Sequence, residues 1–301
     1  ALWSTYPIAT AHRIGLTLQS LTGLPWVADF RDSMTEPHYP PNPRVRSAFR
    51  RIEERTVARA SRVVFTTPGA RRMYAERYPG LPASRWAVIP NGFEEGSFRD
   101  AEASASRPHP EGGPTVLVHS GLLYPSERDP RGFFAALGSL RRDGKISSST
   151  IQVILRATGF DEDYRPMLRA EGIEDIVRLE PSIGYREALG EMLDADGLLL
   201  FQASNCNHQI PAKVYEYLRA RRPIFAMTDP VGDTARVLVE AKIDTVVPLD
   251  SKAAIADGLV RFLEAVRRGS APLASSEEIE RHSRRARARE LATLLDAVAK
   301  D

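Results

Sequence analysis

Lys213 and Glu216 stand three residues apart in the stretch from Gln209 to Ala226, which reads Q-I-P-A-K-V-Y-E-Y-L-R-A-R-R-P-I-F-A. On a helix that spacing puts the cation and the carboxylate on one face, near the N-terminus. Pro211 suits the first turn, where its missing N–H costs nothing. Val214 and Leu218 then turn inward, and Pro223 opens a short strand from Ile224 to Met227. A helix start that carries a lysine is suited to an anion, because orphan N–H groups and the helix dipole both favour negative charge. A glutamate one turn on can accept hydrogen bonds from a sugar diol, as acidic residues do for nucleotide riboses. The chemistry expected of this stretch is the grip of a nucleoside diphosphate. An amphipathic helix with a solvated charge pair is the plain alternative.

The elements that must position this pair follow from the alternation of apolar and amphipathic segments. Short apolar runs at 2–6, 24–30, 63–66 and 86–90 read as strands, separated by helices at 9–21, about 45–60 and 68–78. From 94 to 113 the composition shifts to Ala, Ser, Glu, Pro and Gly, which reads as a linker. Strands then recur at 116–119, 151–155, 176–179, 197–201, 224–227 and 245–247. Helices are expected at 130–141, 161–171, 185–193, 234–241, 252–268 and 277–299. The pattern predicts an α/β chain of two doubly wound parallel sheets. In such sheets ligands sit outside the carboxyl ends of the strands. Arg31-Asp32, His119-Ser120-Gly121, Arg156 and the loop from Ser204 to Lys213 fall at those ends, so a cleft between the sheets is the expected ligand location.

Composition narrows the classes. The chain has 301 residues, 43% apolar and 27% charged, with a net charge of +2. That charge argues against wholesale nucleic-acid binding. Cys206 is the only cysteine, so intrachain disulfides and Cys-rich zinc sites are excluded and a reducing, cytoplasmic setting is expected. Cys206, His208 and His282 lack metal-ligand spacing, and no metal is expected. No apolar run reaches the roughly 20 residues of a membrane span. Ala1 leads directly into an expected strand, and no signal peptide is expected.

Four stretches together resemble family 4 glycosyltransferases of the GT-B fold, the bacterial polysaccharide type. They are Thr5 to Leu16 with Leu24 to Ser33 (L-P-W-V-A-D-F-R-D-S), Val88 to Phe93 (V-I-P-N-G-F), His119 to Arg131 (H-S-G-L-L-Y-P-S-E-R-D-P-R), and Ile210 to Leu218 (I-P-A-K-V-Y-E-Y-L). The resemblance implies two Rossmann-like domains. The partial, acceptor-side one covers 1–93, a linker 94–113 and the nucleotide-sugar domain 114–275. A last helical segment, 276–301, returns to the first domain. The N-terminal domain is expected to lack its opening strands, leaving a strand edge to be covered.

The implied activity is transfer of a sugar from a nucleotide-diphosphate-sugar to a glycan or lipid-linked acceptor, with retention, without metal or other cofactor. Residue by residue, the resemblance assigns Glu216 to the donor ribose and Lys213 and Arg128 to the diphosphate. Gly121 allows close backbone approach, and Ser182, Ile183 and Gly184 receive the base. Arg31 and Asp32 face the transferred sugar. Two departures stand out. His208 occupies the donor-site position where relatives often carry a first glutamate, and Leu122 stands where a basic residue is common. A partner-dependent or non-catalytic GT-B protein and a sugar-nucleotide epimerase are the competing readings.

Other charged residues admit plainer roles. A surface ion pair between Arg128 and Asp129 is the plain alternative to a phosphate role, and His12 reads as a surface residue. His119 reads as buried and structural. Arg44, Arg46, Arg50, Arg51, Arg55 and Arg59, and the later run Arg281, Arg284, Arg285, Arg287 and Arg289, suggest peripheral contact with anionic lipid on the inner face of the membrane. Solvated faces offset by Glu53, Glu54 and Glu290 are the alternative.

Overall fold

The computed structural model describes residues 1–103 and 112–300. The chain divides into two compact units. Unit 1 comprises Ala1–Gly92, His208–Ile210 and the chain from Arg284 onward, and unit 2 comprises Phe93–Asn207 and Pro211–Ser283.

Unit 1 runs β1 (Leu2–Thr5), α1 (Ala9–Thr22), β2 (Trp26–Phe30), α2 (Pro43–Arg59), β3 (Arg62–Phe65), α3 (Pro68–Arg77) and β4 (Trp86–Val88). Its four strands are parallel, in the order β1-β2-β3-β4, with β1 at the edge. Local chemistry sets the helix starts. Asn42 accepts from the N–H groups of Arg44 and Val45, Thr67 accepts from that of Ala70, and Pro43 and Pro68 follow these caps.

Ala9, His12 and Gly15 face the sheet, whereas Ile14, Leu18 and Leu21 are 55%, 42% and 78% exposed. The cause is Trp26: a Cβ on Gly15 would lie 2.6 Å from its indole ring, so only a narrow helix face fits over it. His12 is accordingly a core residue and not a surface one. It is fully buried, stacked on Phe30 at 4.6 Å, and its Nδ1 lies 2.8 Å from the Ser4 hydroxyl. Glu53, expected on a solvated face, is also fully buried. It accepts from Thr35 and Tyr74 through one oxygen and from Arg77 and Tyr78 through the other. A buried carboxylate needs such donors to offset its lost hydration.

Unit 2 begins with α4 (Glu95–Glu102) and continues through β5 (Thr115–Ser120), α5 (Arg131–Arg142), β6 (Ile151–Arg156), α6 (Asp161–Glu171) and β7 (Val177–Glu180). It goes on through α7 (Tyr185–Asp194), β8 (Gly197–Phe201), α8 (Lys213–Ala220), β9 (Ile224–Met227) and α9 (Asp233–Glu240). It ends with β10 (Val246–Val247), α10 (Lys252–Arg267) and α11 (Ser276–Arg281), after which α12 (Arg284–Lys300) lies in unit 1. The stretch read as a linker thus contains a helix at its start, and residues 104–111 of it lie outside the described residues. Helix α4 packs against α7, and the Arg219 guanidinium on α8 holds it through Glu95 at 2.7 Å and Glu102 at 2.8 Å.

The six parallel strands of unit 2 follow the order β10-β9-β8-β5-β6-β7. Chain direction across the sheet therefore reverses between β5 and β8, which is the topological switch point of a doubly wound sheet. Phe133, Phe134 and Leu137 of α5 and Ile255, Leu259 and Phe262 of α10 pack with β5, β6 and β8 residues into the core. The single helix expected over 277–299 is two. It breaks at His282-Ser283, where the Phe93 N–H bonds to the His282 carbonyl at 3.2 Å and Phe93 pairs with Ser283.

Candidate functional site

Lys213, the first residue of α8, has its Nζ 2.8 Å from the Ser120 carbonyl and 3.2 Å from Nε2 of His119. Both partners lie at the carboxyl end of β5, beside the switch point. The close approach depends on Gly121. Its φ is +118°, and a Cβ there would stand 3.0 Å from the lysine Nζ. Burial, with the nearby positive charge of Arg128, pulls the Lys213 amine down to about 7, against a smaller upward effect of Glu216. Desolvation dominates because the charged form loses hydration that these neutral partners only partly replace.

The helix start differs in detail from expectation. Pro211 precedes the helix, and the N–H groups of Val214 and Tyr215 bond to the carbonyls of Pro211 and Ala212 at 3.0 and 3.1 Å. These two donors are used locally, so the lysine side chain carries more of the positive potential at this end. Val214 and Leu218 are buried as expected, with Tyr215 and Tyr217 beside them.

Glu216 accepts a 2.8 Å hydrogen bond from the Tyr185 hydroxyl. A carboxylate has about four lone-pair sites, so this contact leaves capacity for a diol. Tyr185 is the first residue of α7 and directly follows the exposed loop Ser182, Ile183, Gly184. The Glu187 side chain accepts from the Gly184 N–H at 3.0 Å. Arg156 braces the same loop by donating to the Pro181 carbonyl at 2.7 Å while forking onto Glu191 at 2.6 and 2.5 Å. Tyr185 carried no sequence signal of its own, since its link to Glu216 appears only when α7 and α8 lie side by side.

Arg128 does not pair with Asp129, which is taken by Arg131 at 2.5 Å. Its guanidinium lies over the Tyr124 ring at 5.0 Å and donates to the Leu122 carbonyl at 3.3 Å. Lys213, Gly121, Arg128, Glu216 and, through Tyr185, the 182–184 loop are therefore tied together within unit 2.

The remaining candidates fall in unit 1. His208 has Nε2 3.2 Å from Glu36, and its carbonyl accepts from Thr67 at 2.5 Å. The hydrogen bond from His208 is the main cause of a lowered Glu36 pKa. Arg31 and Asp32 are exposed just past the end of β2. Asp29, in that strand, accepts from the Thr5 hydroxyl at 3.0 Å, and burial raises its carboxyl to about 6. Among the described residues there is no group of three or more His, Cys, Asp or Glu side chains placed to hold a metal ion.

Comparison with known proteins bears on these findings in three ways. Residues 1–92 match the family model described as a glycosyl transferase 4-like domain. No curated protein sequence matches the chain. Among solved structures, a sucrose-phosphate synthase from Thermosynechococcus elongatus superimposes with a TM-score of 0.70 at 16% identity, over 98% of this chain and 73% of that one. An α,α-trehalose-phosphate synthase (UDP-forming) from Burkholderia xenovorans, in complex with glucose-6-phosphate, gives a TM-score of 0.70 at 14% identity, with the same coverage of 98% and 73%. The corresponding enzyme from Burkholderia vietnamiensis gives 0.68 at 14% identity, over 99% and 72%. The chain has the GT-B fold of these synthases, and its first 92 residues match the glycosyl transferase 4-like domain.

Proposed function

We propose that the protein is a retaining, metal-independent glycosyltransferase that moves a sugar from a nucleoside-diphosphate sugar to a glycan or lipid-linked acceptor, in polysaccharide or glycoconjugate synthesis. The observation that carries this reading is the placement of Lys213 at the switch point of unit 2 with Glu216 one turn along α8. The UDP-forming description of the trehalose-phosphate synthase supports a nucleoside diphosphate as leaving group. In this reading Lys213 and Arg128 offset charge developing on the diphosphate as its bond to the anomeric carbon breaks. The acceptor oxygen bonds to that carbon on the same face, and its proton passes to a phosphate oxygen of the leaving group. Glu216 takes the ribose diol, the 182–184 loop the base, and Arg31 and Asp32 the sugar being transferred. His208 is left on Glu36.

Thermal-shift screening with UDP-, GDP- and ADP-sugars tests the donor, since a ligand bound only by the folded state raises the melting temperature. At least one should stabilise the wild type and be turned over, and Arg128→Ala should lower that turnover by roughly tenfold or more. The reading fails if no nucleotide-sugar binds, and its leaving-group chemistry fails if Arg128→Ala turns over donor undiminished.

A lipid-linked acceptor is favoured by one surface of unit 1. The exposed Ile14, Leu18 and Leu21 of α1 lie on a helix that packs against α2, whose Arg44, Arg50, Arg51, Arg55 and Arg59 are exposed. Exposed apolar side chains and exposed arginines on two neighbouring helices suit an anionic bilayer surface. Among the described residues no helix is long and apolar enough to cross a membrane. Flotation with phosphatidylglycerol vesicles at low salt should carry the protein upward, and Leu18→Glu/Leu21→Glu should abolish this. Wild-type protein that stays in the pellet would refute membrane docking.

A further inference from the structure

His119 is fully buried, and its two ring nitrogens have different partners. Nδ1 lies 2.8 Å from the Leu199 carbonyl, which also accepts from the Tyr217 hydroxyl at 3.3 Å. A carbonyl only accepts, so Nδ1 carries the proton. Nε2 of the neutral ring then presents a lone pair, and its partner at 3.2 Å is Lys213 Nζ. Burial and the adjacent Lys213 charge push the imidazole well below its usual pKa, against smaller upward effects of the Leu199 and Gly121 backbone, in keeping with a neutral ring.

The amine therefore faces two fixed acceptors, the imidazole Nε2 and the Ser120 carbonyl. A neutral amine has two N–H groups, and both acceptors are filled by them. An ammonium has a third N–H, which is the one available to a ligand. The charged and titratable groups facing this amine are His119 from β5, Arg128 from the segment after β5, and Glu216 from α8 itself. Without an anion, burial and Arg128 outweigh Glu216. A diphosphate reverses that balance.

We propose that His119 is a positioning residue: it holds Lys213 in a two-acceptor cradle at Gly121, from which a bound diphosphate draws a proton onto the amine. This rests on the nucleotide-sugar reading and adds to it a proton taken up from solvent on donor binding. The sign follows from linkage. Below the free amine's pKa the lysine is already charged and no proton is taken up. Above it, each molecule of donor bound requires uptake of up to one proton, and affinity falls by up to about tenfold per pH unit.

The test uses whichever of UDP-, GDP- or ADP-glucose binds the wild type, because a diphosphate diester does not itself titrate near neutrality. Calorimetry between pH 6 and 8.5, in buffers of different ionisation enthalpy, measures both affinity and proton uptake. The two amide variants separate the nitrogens. His119→Asn keeps a donor near the Leu199 carbonyl and withdraws the acceptor from Lys213. His119→Gln offers an amide oxygen where Nε2 stood. The expected result is uptake rising toward one proton above pH 7, near-wild-type affinity for His119→Gln, and a loss of about tenfold for His119→Asn. A histidine that only packs β5 predicts the reverse order, with uptake unchanged; that outcome overturns the proposal. If both variants fail to fold, wild-type binding without proton uptake overturns it equally. A wild type that binds none of the three sugars instead removes the underlying nucleotide-sugar reading.

Discussion

His12 and Asp29 titrate over the same acid range in opposite senses, both inside unit 1. Burial lowers the His12 imidazole to about 4 from 6.5. Its stabilising effect is present above pH 6.5 and is lost as pH falls toward 4, because the unfolded chain takes up the proton first. Asp29, raised to about 6 from 3.8, behaves the other way: the folded state takes up the proton first, so acid relieves the cost of its buried charge. Each shift is worth up to about 3 kcal/mol, less for the partly exposed Asp29. Denaturant melts at pH 7 and pH 4 should therefore show little net effect of this pair in the wild type. His12→Leu should gain relative stability in acid and Asp29→Asn should lose it; parallel shifts in the two variants would contradict the assignment. Neither residue announced this in the sequence. Lys213 and Glu216 were legible because helical spacing alone puts them on one face. The burial of His12 depends on Trp26, 14 positions later in the chain.

At the scale of elements, regular alternation was enough to locate the strands of both sheets to within a residue or two, and the switch point between β5 and β8 follows from how they pair. What periodicity could not convey is which face of a helix is narrow enough to fit. In α1 the apolar positions face outward because Gly15 must clear the Trp26 ring. Helix α4 was hidden by a polar, alanine-rich composition, and its anchor is the Arg219 fork on Glu95 and Glu102 rather than an apolar stripe alone. The β5–α8 junction depends on the same kind of close fit. Gly121→Ala would place a methyl against the Lys213 amine and force an L residue into a left-handed conformation, a strain of about 1–3 kcal/mol. Melting should show a loss of that size and titration a parallel loss of nucleotide-sugar affinity. An alanine variant with wild-type stability and affinity would mean that the approach of Lys213 to this turn has no consequence.

The course of the whole chain matters to stability because unit 1 is built from both ends of the sequence. After Ser283 the polypeptide contributes α12 to the first sheet, where Val298 is fully buried and packs with Val27 of β2 and Val64 of β3, flanked by Leu294 and Leu295. Burying one such side chain is worth about 1.5–3 kcal/mol. Loss of the whole helix would strip several of these contacts from the face of a four-stranded sheet, a large fraction of the stability of a unit this size. The unit 2 core, formed around Leu117, Phe133, Leu199 and Phe262, contains no residue beyond Ser283 among the described residues. A chain ending at Ser283 should therefore lose protection of β2 and β3 amides in hydrogen exchange while β5, β6 and β8 remain slow. Lys213 and Glu216 stay within the intact unit, so on the proposed reading calorimetry should still detect nucleotide-sugar binding. Uniform loss of protection across both sheets would show that the two units fold only as one.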